Sequence, residues 1–182
     1  MMTISTRFNE RRPDNLPNNL TEWMGKRELV GLVLQAVTET VGFCHGPCVT
    51  DSEVKPIRPQ VLLGLVCYGY ATGVYGSWQI EEKISTDEAA RYLAVHSHVD
   101  RQILRQFRRY WRPTMAQCLT RIFELAWQHY YAEERPGECP GRFHDRACGS
   151  AEELSSRHER FAVEAGHRID CAMQFDRIDV EE

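Results

Sequence analysis

The chain has 182 residues, of which 42% are hydrophobic and 26% are charged, and its formal net charge is −4. This length suits one domain of ordinary size, with or without an appendage, and this composition excludes a disordered chain. The N-terminus lacks the apolar stretch of a secretory signal, and the charge-free apolar run at 61–74 is shorter than the about 20 residues that span a bilayer. We therefore expect a globular cytoplasmic protein without a membrane segment.

Seven cysteines are scattered along the chain. An odd number without a secretory signal favours reduced thiols over a disulfide framework. Two loops rich in glycine and proline nevertheless carry a set of candidate zinc ligands: Cys44, Cys48, Cys139, His144 and Cys148. Because their spacings differ from the usual C-x2-C knuckle, unrelated thiols are the alternative interpretation, and we expect no cofactor.

Residues 1–20 are predicted to form an irregular arm, and residues 21–134 a helical domain. Thr21 is expected to cap the first helix, which should end near Gly42. The helical spacing of its apolar residues predicts one buried face, formed by Trp23, Leu29, Val30, Val33, Leu34 and Val37.

The second helix is predicted to begin near Arg58, with Pro59 in its first turn. Residues 59–72 leave almost no polar face, which is typical of the central helix of a bundle. Three further helices are expected, with Ser77, Asp87 and Asp100 as their N-caps. Two short helices before a basic third helix resemble a helix-turn-helix, whose later helix enters the major groove of DNA.

Residues 100–112 contain five arginines and one aspartate. On a helix, Arg101, Arg105, Arg108 and Arg112 fall within roughly 60° of arc, flanked by Gln102 and Arg109. No glutamate lies four residues from these arginines inside the helix to neutralise them. Guanidinium groups bind phosphate and guanine edges, so the stripe predicts a nucleic-acid interface, with a solvated helix face as the alternative.

Pro113 is expected to end this helix and to open the next one, which should run to about Glu134. Residues 135–149 are predicted to form a loop, and residues 150–182 an acidic C-terminal helix and tail. The apolar face of that last helix should be formed by Leu154, Phe161, Ala165, Ile169 and Ala172. No strand-like alternation is present, so the predicted fold class is all-α, a compact bundle of helices that contains a helix-turn-helix-like unit.

Residues 56–130 carry several phrases that resemble the N-terminal helical domain of bacterial DDE-type insertion-sequence transposases, the InsH-like group. The first phrase is Tyr68-Gly69-Tyr70-Ala71-Thr72-Gly73-Val74, and the second is Ser77 with Ile80-Glu81-Glu82. The third is Asp87 with Ala89, Arg91, Leu93 and Ala94, and the fourth is Asp100 with Leu104 and Phe107-Arg108-Arg109. The last is Phe123-Glu124-Leu125-Ala126. The family usually has proline and histidine where this chain has Val99 and Arg101, and threonine and arginine where it has Ile103 and Gln106.

The resemblance implies binding to the terminal repeats of a transposon. We expect Arg101, Gln102 and Arg105 to face bases, and Arg108, Arg109 and Arg112 to hold phosphates. The family's catalytic domain uses three carboxylates around two metal ions, and the nearest phrase here, Ile169-Asp170-Cys171, lies in a helical pattern and lacks the family's glycine. We therefore expect Asp170 to be a surface acid, and the chain to bind DNA without its catalytic domain. The alternative is a helical dimerisation or regulatory module that acts on a full-length transposase.

Overall fold

The computed structural model describes residues 16–41, 57–95, 97–133 and 151–181, and every regular element in these ranges is helical. The all-α prediction is confirmed. The elements are a 3-10 helix at Leu20–Glu22 followed by α1 (Lys26–Val41), α2 (Pro59–Ala71), α3 (Ser77–Thr86), α4 (Glu88–Ala94), α5 (Arg101–Glu133) and α6 (Ala151–Glu181).

Helix α2 is the central helix, as its uniform apolarity predicts. Its residues from Leu62 to Ala71 are all buried, and it packs against α1, α3, α4 and α5. Pro59 is its first residue and follows the extended Arg58, as expected. Gly69 permits close packing of α3, because a Cβ there would lie 2.9 Å from Cδ1 of Ile80. Gly73 then takes a φ of 76°, a conformation that favours glycine and reverses the chain after α2.

Two of the expected N-caps are confirmed and two are wrong. Asp87 accepts a hydrogen bond from the backbone of Ala89, and Asp100 accepts one from that of Ile103. Asn19 caps the first turn in place of Thr21, whose N–H it binds at 3.0 Å. Gly76 occupies the N-cap position of α3, and Ser77 is the first helical residue. Side chains that cap well are common in loops, so residue type alone does not fix the first turn.

Most of the apolar face expected for α1 is buried, and Leu34 is the exception at 42% exposed. Leu34 follows the buried Val33 and precedes the buried Ala36 and Val37. The buried face of α1 therefore has its border between Val33 and Leu34, and the Leu34 side chain is exposed to solvent.

Helix α5 continues through Pro113, so the expected break at this residue is wrong. Proline deprives the carbonyl four residues earlier, that of Arg109, of its helical donor. Both Arg109 and Pro113 are on the exposed side of the helix, where water can bind the freed carbonyl. The buried side carries Leu104, Phe107 and Met115, which hold both halves of the helix on one core. The result is a single rod of 33 residues, about 50 Å long.

Helix α6 packs along α5 and shares the core of the remaining helices. Phe161, Ala165, Ile169 and Ala172 are buried there, as predicted from their spacing. Leu154, nearer the start of the helix, is 39% exposed, so its predicted place in this apolar face is wrong. None of the helices that the structure describes is both long and apolar enough to cross a membrane.

Pro113→Ala should stabilise the protein by about 1 kcal/mol or more, because alanine restores a helical N–H and has the highest helix propensity. Thr114→Ala is the matched control, since it changes the neighbouring position in propensity alone and should have an effect of a few tenths of a kcal/mol. Urea unfolding monitored by circular dichroism measures both. A lower free energy of unfolding for Pro113→Ala would contradict this explanation of the continuous helix.

Candidate nucleic-acid interface

The expected arginine stripe on α5 is divided by the packing of α6. Arg101, Arg109 and Arg112 are exposed, Arg105 is half-buried and Arg108 is 1% exposed. The side of α5 that carries Arg105, Arg108 and Arg112 faces α6. The expectation of an unneutralised stripe is therefore wrong.

Arg108 is a core residue. One of its Nη atoms donates to Oδ2 of Asp176 at 2.5 Å, and the other donates to the carbonyl of Tyr75 at 2.6 Å. Its guanidinium carbon lies 5.3 Å from the centre of the Tyr70 ring. A buried guanidinium with these partners cannot reach a DNA phosphate, so the predicted phosphate-binding role of Arg108 is wrong.

Asp176 on α6 joins three helices. Its Oδ1 accepts the backbone N–H of Ser77 at 3.0 Å, and its Oδ2 accepts the Ser77 hydroxyl at 3.0 Å. The carboxylate thus lies at the N-terminus of α3, where the helix dipole favours negative charge. Nε of Arg105 lies 3.9 Å from the same carboxylate. Asp176 therefore positions α3 and α5 relative to α6.

Arg112 forms a different kind of ion pair. Its Nη2 lies 2.5 Å from Oδ1 of Asp170, and the two side chains are 51% and 54% exposed. Asp170 is thus a surface acid, as predicted. An exposed pair of this kind is surrounded by water and contributes little to stability.

The outward-facing polar side of α5 is rotated away from the predicted stripe. Gln102 and Arg109 are exposed at its centre, with the half-exposed Gln106 between them along the helix. Because these three residues are spaced by four and three positions, they share one face. The exposed Arg101 lies at one border of this face, and Tyr110, 83% exposed, lies at the other. We call Arg101, Gln102, Gln106 and Arg109 the outer α5 face.

The phrase at 68–74 meets Asp87 at a junction of hydrogen bonds and ion pairs. The Tyr68 hydroxyl donates to Asp87 at 3.1 Å, and Lys83 donates to the Thr72 hydroxyl at 2.9 Å. Lys26 of α1 also pairs with Asp87 at 3.4 Å. Tyr68 and Asp87, which belong to separate phrases, are thus bonded directly. Lys83 and Lys26, which lie outside the phrases, complete a junction between α1, α2, α3 and α4.

This junction shifts the protonation of its members. Burial tends to raise the pKa of Asp87, but the N–H of Ala89, the Tyr68 hydroxyl and Lys26 outweigh it, so the pKa lies below its usual value. Burial and the adjacent Asp87 raise the pKa of Tyr68, which remains a hydrogen-bond donor. Burial lowers the pKa of Lys83, although Asp87 opposes this change.

Sequence reasoning missed Arg168 of α6, which is 1% exposed. It donates to the carbonyls of Pro17, Asn18 and Tyr70 at 2.7, 3.1 and 2.9 Å. Its guanidinium also lies 4.8 Å from the centre of the Phe123 ring. The sequence contains a signal for this role, because Arg168 falls on the same helical arc as Ala165 and Ala172. An arginine within an apolar stripe needs buried partners.

The five candidate zinc ligands, Cys44, Cys48, Cys139, His144 and Cys148, lie outside the described residues. Within the described ranges, no group of three or more His, Cys, Asp or Glu side chains could hold a metal ion. The chain matches no protein-family model, no curated protein and no solved structure.

Asp176→Ala should destabilise the protein by about 3 kcal/mol or more, because it leaves the buried Arg108 without a counter-charge. Asp170→Ala, on the same helix, removes the partner of an exposed arginine and should cost at most about 1 kcal/mol. Chemical denaturation gives both values. Equal losses of stability would show that burial of Arg108 does not decide the strength of its pair.

In Asp87→Asn, the stability of the folded protein should fall less steeply with decreasing pH than it does in the wild type. A carboxyl group with a lowered folded pKa adds stability that is present above its unfolded value, near 3.8, and is lost as the pH falls through the folded value. Thermal unfolding between about pH 2.5 and 6 tests this, with the exposed Glu88→Gln as the control. If the stability of Asp87→Asn falls with decreasing pH as steeply as that of the wild type, the lowered pKa assigned to Asp87 is contradicted.

Proposed function

We propose that the chain binds duplex DNA through the outer α5 face, in the manner expected of a transposase N-terminal domain that recognises transposon ends. The observation that carries the proposal is this exposed face of two arginines and two glutamines on a firmly anchored helix. Glutamine pairs well with the major-groove edge of adenine, and arginine with that of guanine or with phosphate.

The anchoring of α5 supports this proposal. Directly behind the outer α5 face, Leu104 and Phe107 are fully buried, and Arg108 is tied to Asp176. The helix therefore carries its outer side chains on a backbone held by the core. A helix that recognises bases requires such support, because a displaced backbone would move its side chains away from the bases that they contact.

The contact residues are revised from the sequence-based expectation. Arg101 and Gln102 keep the expected position toward bases, Gln106 joins them, and Arg109 keeps its expected role at a phosphate. Arg105 contributes from the border of the face, since it is half-buried and near Asp176. Arg108 belongs to the core and is not a contact.

The transposase resemblance is a second support. The hydrogen bond between Tyr68 and Asp87 and the close packing of Gly69 on Ile80 give residues of the phrases structural roles. Such roles account for the residue types at these positions. The proposal assigns DNA binding to this chain and no strand cleavage.

A dimerisation or regulatory module that acts on a full-length transposase is the second candidate. The apolar face of the C-terminal helix would be the natural surface for such a module, but Phe161, Ala165 and Ile169 are buried in the chain's own core. Among the large apolar side chains that the structure describes, Tyr110 and Val163 are the most exposed, at 83% and 73%, and remain candidates for such a contact. Light scattering on a sizing column tests this alternative, and a monomer at all concentrations would dismiss it.

The double variant Gln102→Ala/Arg109→Ala should weaken binding to a fluorescently labelled random duplex by about tenfold or more. The slope of log affinity against log salt should fall by about one, because one phosphate contact is lost. Fluorescence anisotropy across a salt series measures both quantities.

The matched control is Arg27→Ala/Gln174→Ala, which removes the same residue types from exposed positions on α1 and α6. It should leave affinity and salt slope unchanged within about twofold. Equal affinity in the two double variants would exclude the outer α5 face. Selection of duplexes from a random pool then tests specificity, since a preferred sequence should be enriched by the wild type and lost in the first double variant.

A further inference from the structure

Arg112 lies where the outer α5 face meets α6. On the α5 helix it is three positions after Arg109, so the two side chains leave the helix from neighbouring positions on its surface. Its own side chain is 51% exposed, and its Nη2 is paired with Oδ1 of Asp170 at 2.5 Å. A DNA backbone that contacts Arg109 would therefore pass close to a guanidinium that already holds an anion.

Asp170 and Asp176 differ in what they do for the fold. Asp176 binds Ser77 twice and the buried Arg108, so the fold requires its carboxylate. Asp170 is 54% exposed and binds the exposed Arg112. Since an exposed ion pair adds little stability, the carboxylate of Asp170 can release Arg112 at low cost to the fold.

We infer that Asp170 competes with DNA phosphate for Arg112 and thereby lowers the affinity of the outer α5 face for DNA. This inference rests on the proposed function and adds a regulatory contact to it. The carboxylate and a phosphate oxygen offer the same acceptor chemistry to one guanidinium. Phosphate gains the additional release of condensed counterions from the duplex, so it displaces Asp170 at low salt.

The test is a double-mutant cycle on Asp170 and Arg112, with binding to a labelled random duplex as the readout. Asp170→Asn should tighten binding by about threefold to tenfold at low salt, and the gain should shrink as salt is added. In the Arg112→Gln background, Asp170→Asn should tighten DNA binding by less than about twofold, because the guanidinium for which the two anions compete is gone.

Glu159→Gln is the matched control for net charge. Glu159 is an exposed acid on the same helix, 11 positions before Asp170 and so about 16 Å away along the axis. A gain for Asp170→Asn that exceeds the gain for Glu159→Gln and disappears without Arg112 supports the inference. Equal gains in the two variants, or a gain that persists in Arg112→Gln, would overturn it.

The outcomes also separate this inference from the proposed function. If the wild type binds with salt dependence and is weakened by Gln102→Ala/Arg109→Ala, while Asp170→Asn binds like the wild type, the competition is absent and the interface stands. If neither the wild type nor Asp170→Asn binds duplex, both ideas fail. Thermal unfolding of each variant verifies that affinities are compared between equally folded proteins.

Discussion

The buried ion pair between Arg108 and Asp176 is the constraint on which the arrangement of helices depends. A guanidinium group that is fully removed from water needs a counter-charge and acceptors for its remaining protons. Arg108 finds its counter-charge in Asp176 of α6 and an acceptor in the carbonyl of Tyr75, while its buried Nε has no hydrogen-bond partner among the described residues. Asp176 in turn binds the start of α3. Because these bonds have narrow geometric limits, they fix where α6 lies along α5 and how α3 meets both helices.

Arg168 provides a second fixed point, nearer the N-terminal part of α6. It binds the carbonyl of Tyr70 in the last turn of α2 and those of Pro17 and Asn18, which precede the first helical turn. The Tyr70 carbonyl accepts the N–H of Gly73 at 3.3 Å, and Arg168 adds a shorter bond to it while also binding two carbonyls outside the helices. Between the two fixed points, Ile169 and Ala172 supply the apolar contact. Helix α6 is thus held by burial and by directional bonds, and its register on α5 is well defined.

The sequence reveals those features that depend on local pattern and conceals those that depend on distant partners. The burial of α2 follows from apolarity on all sides. Short polar side chains before helical periodicity identify the caps Asp87 and Asp100, although the same signal fails at Thr21 and Ser77. Arg108 looks like a surface residue because periodicity within one helix does not reveal Asp176, which lies 68 positions away. The helix-turn-helix unit and the DNA contacts remain predictions, since they concern a partner molecule. The continuity of α5 through Pro113 was missed because the cost of proline depends on whether the freed carbonyl meets solvent or core.

The same helix therefore carries two sets of polar side chains under different physical constraints. On the α6 side, Arg108 sits in a low-dielectric environment where a change of charge acts on the whole fold. On the outer side, Gln102 and Arg109 are hydrated, and their replacement alters surface chemistry with little effect on stability. Arg112 lies between these regimes, in an ion pair that water weakens without abolishing. A helix divided in this way can change what it binds through its outer residues while the inner residues preserve its position.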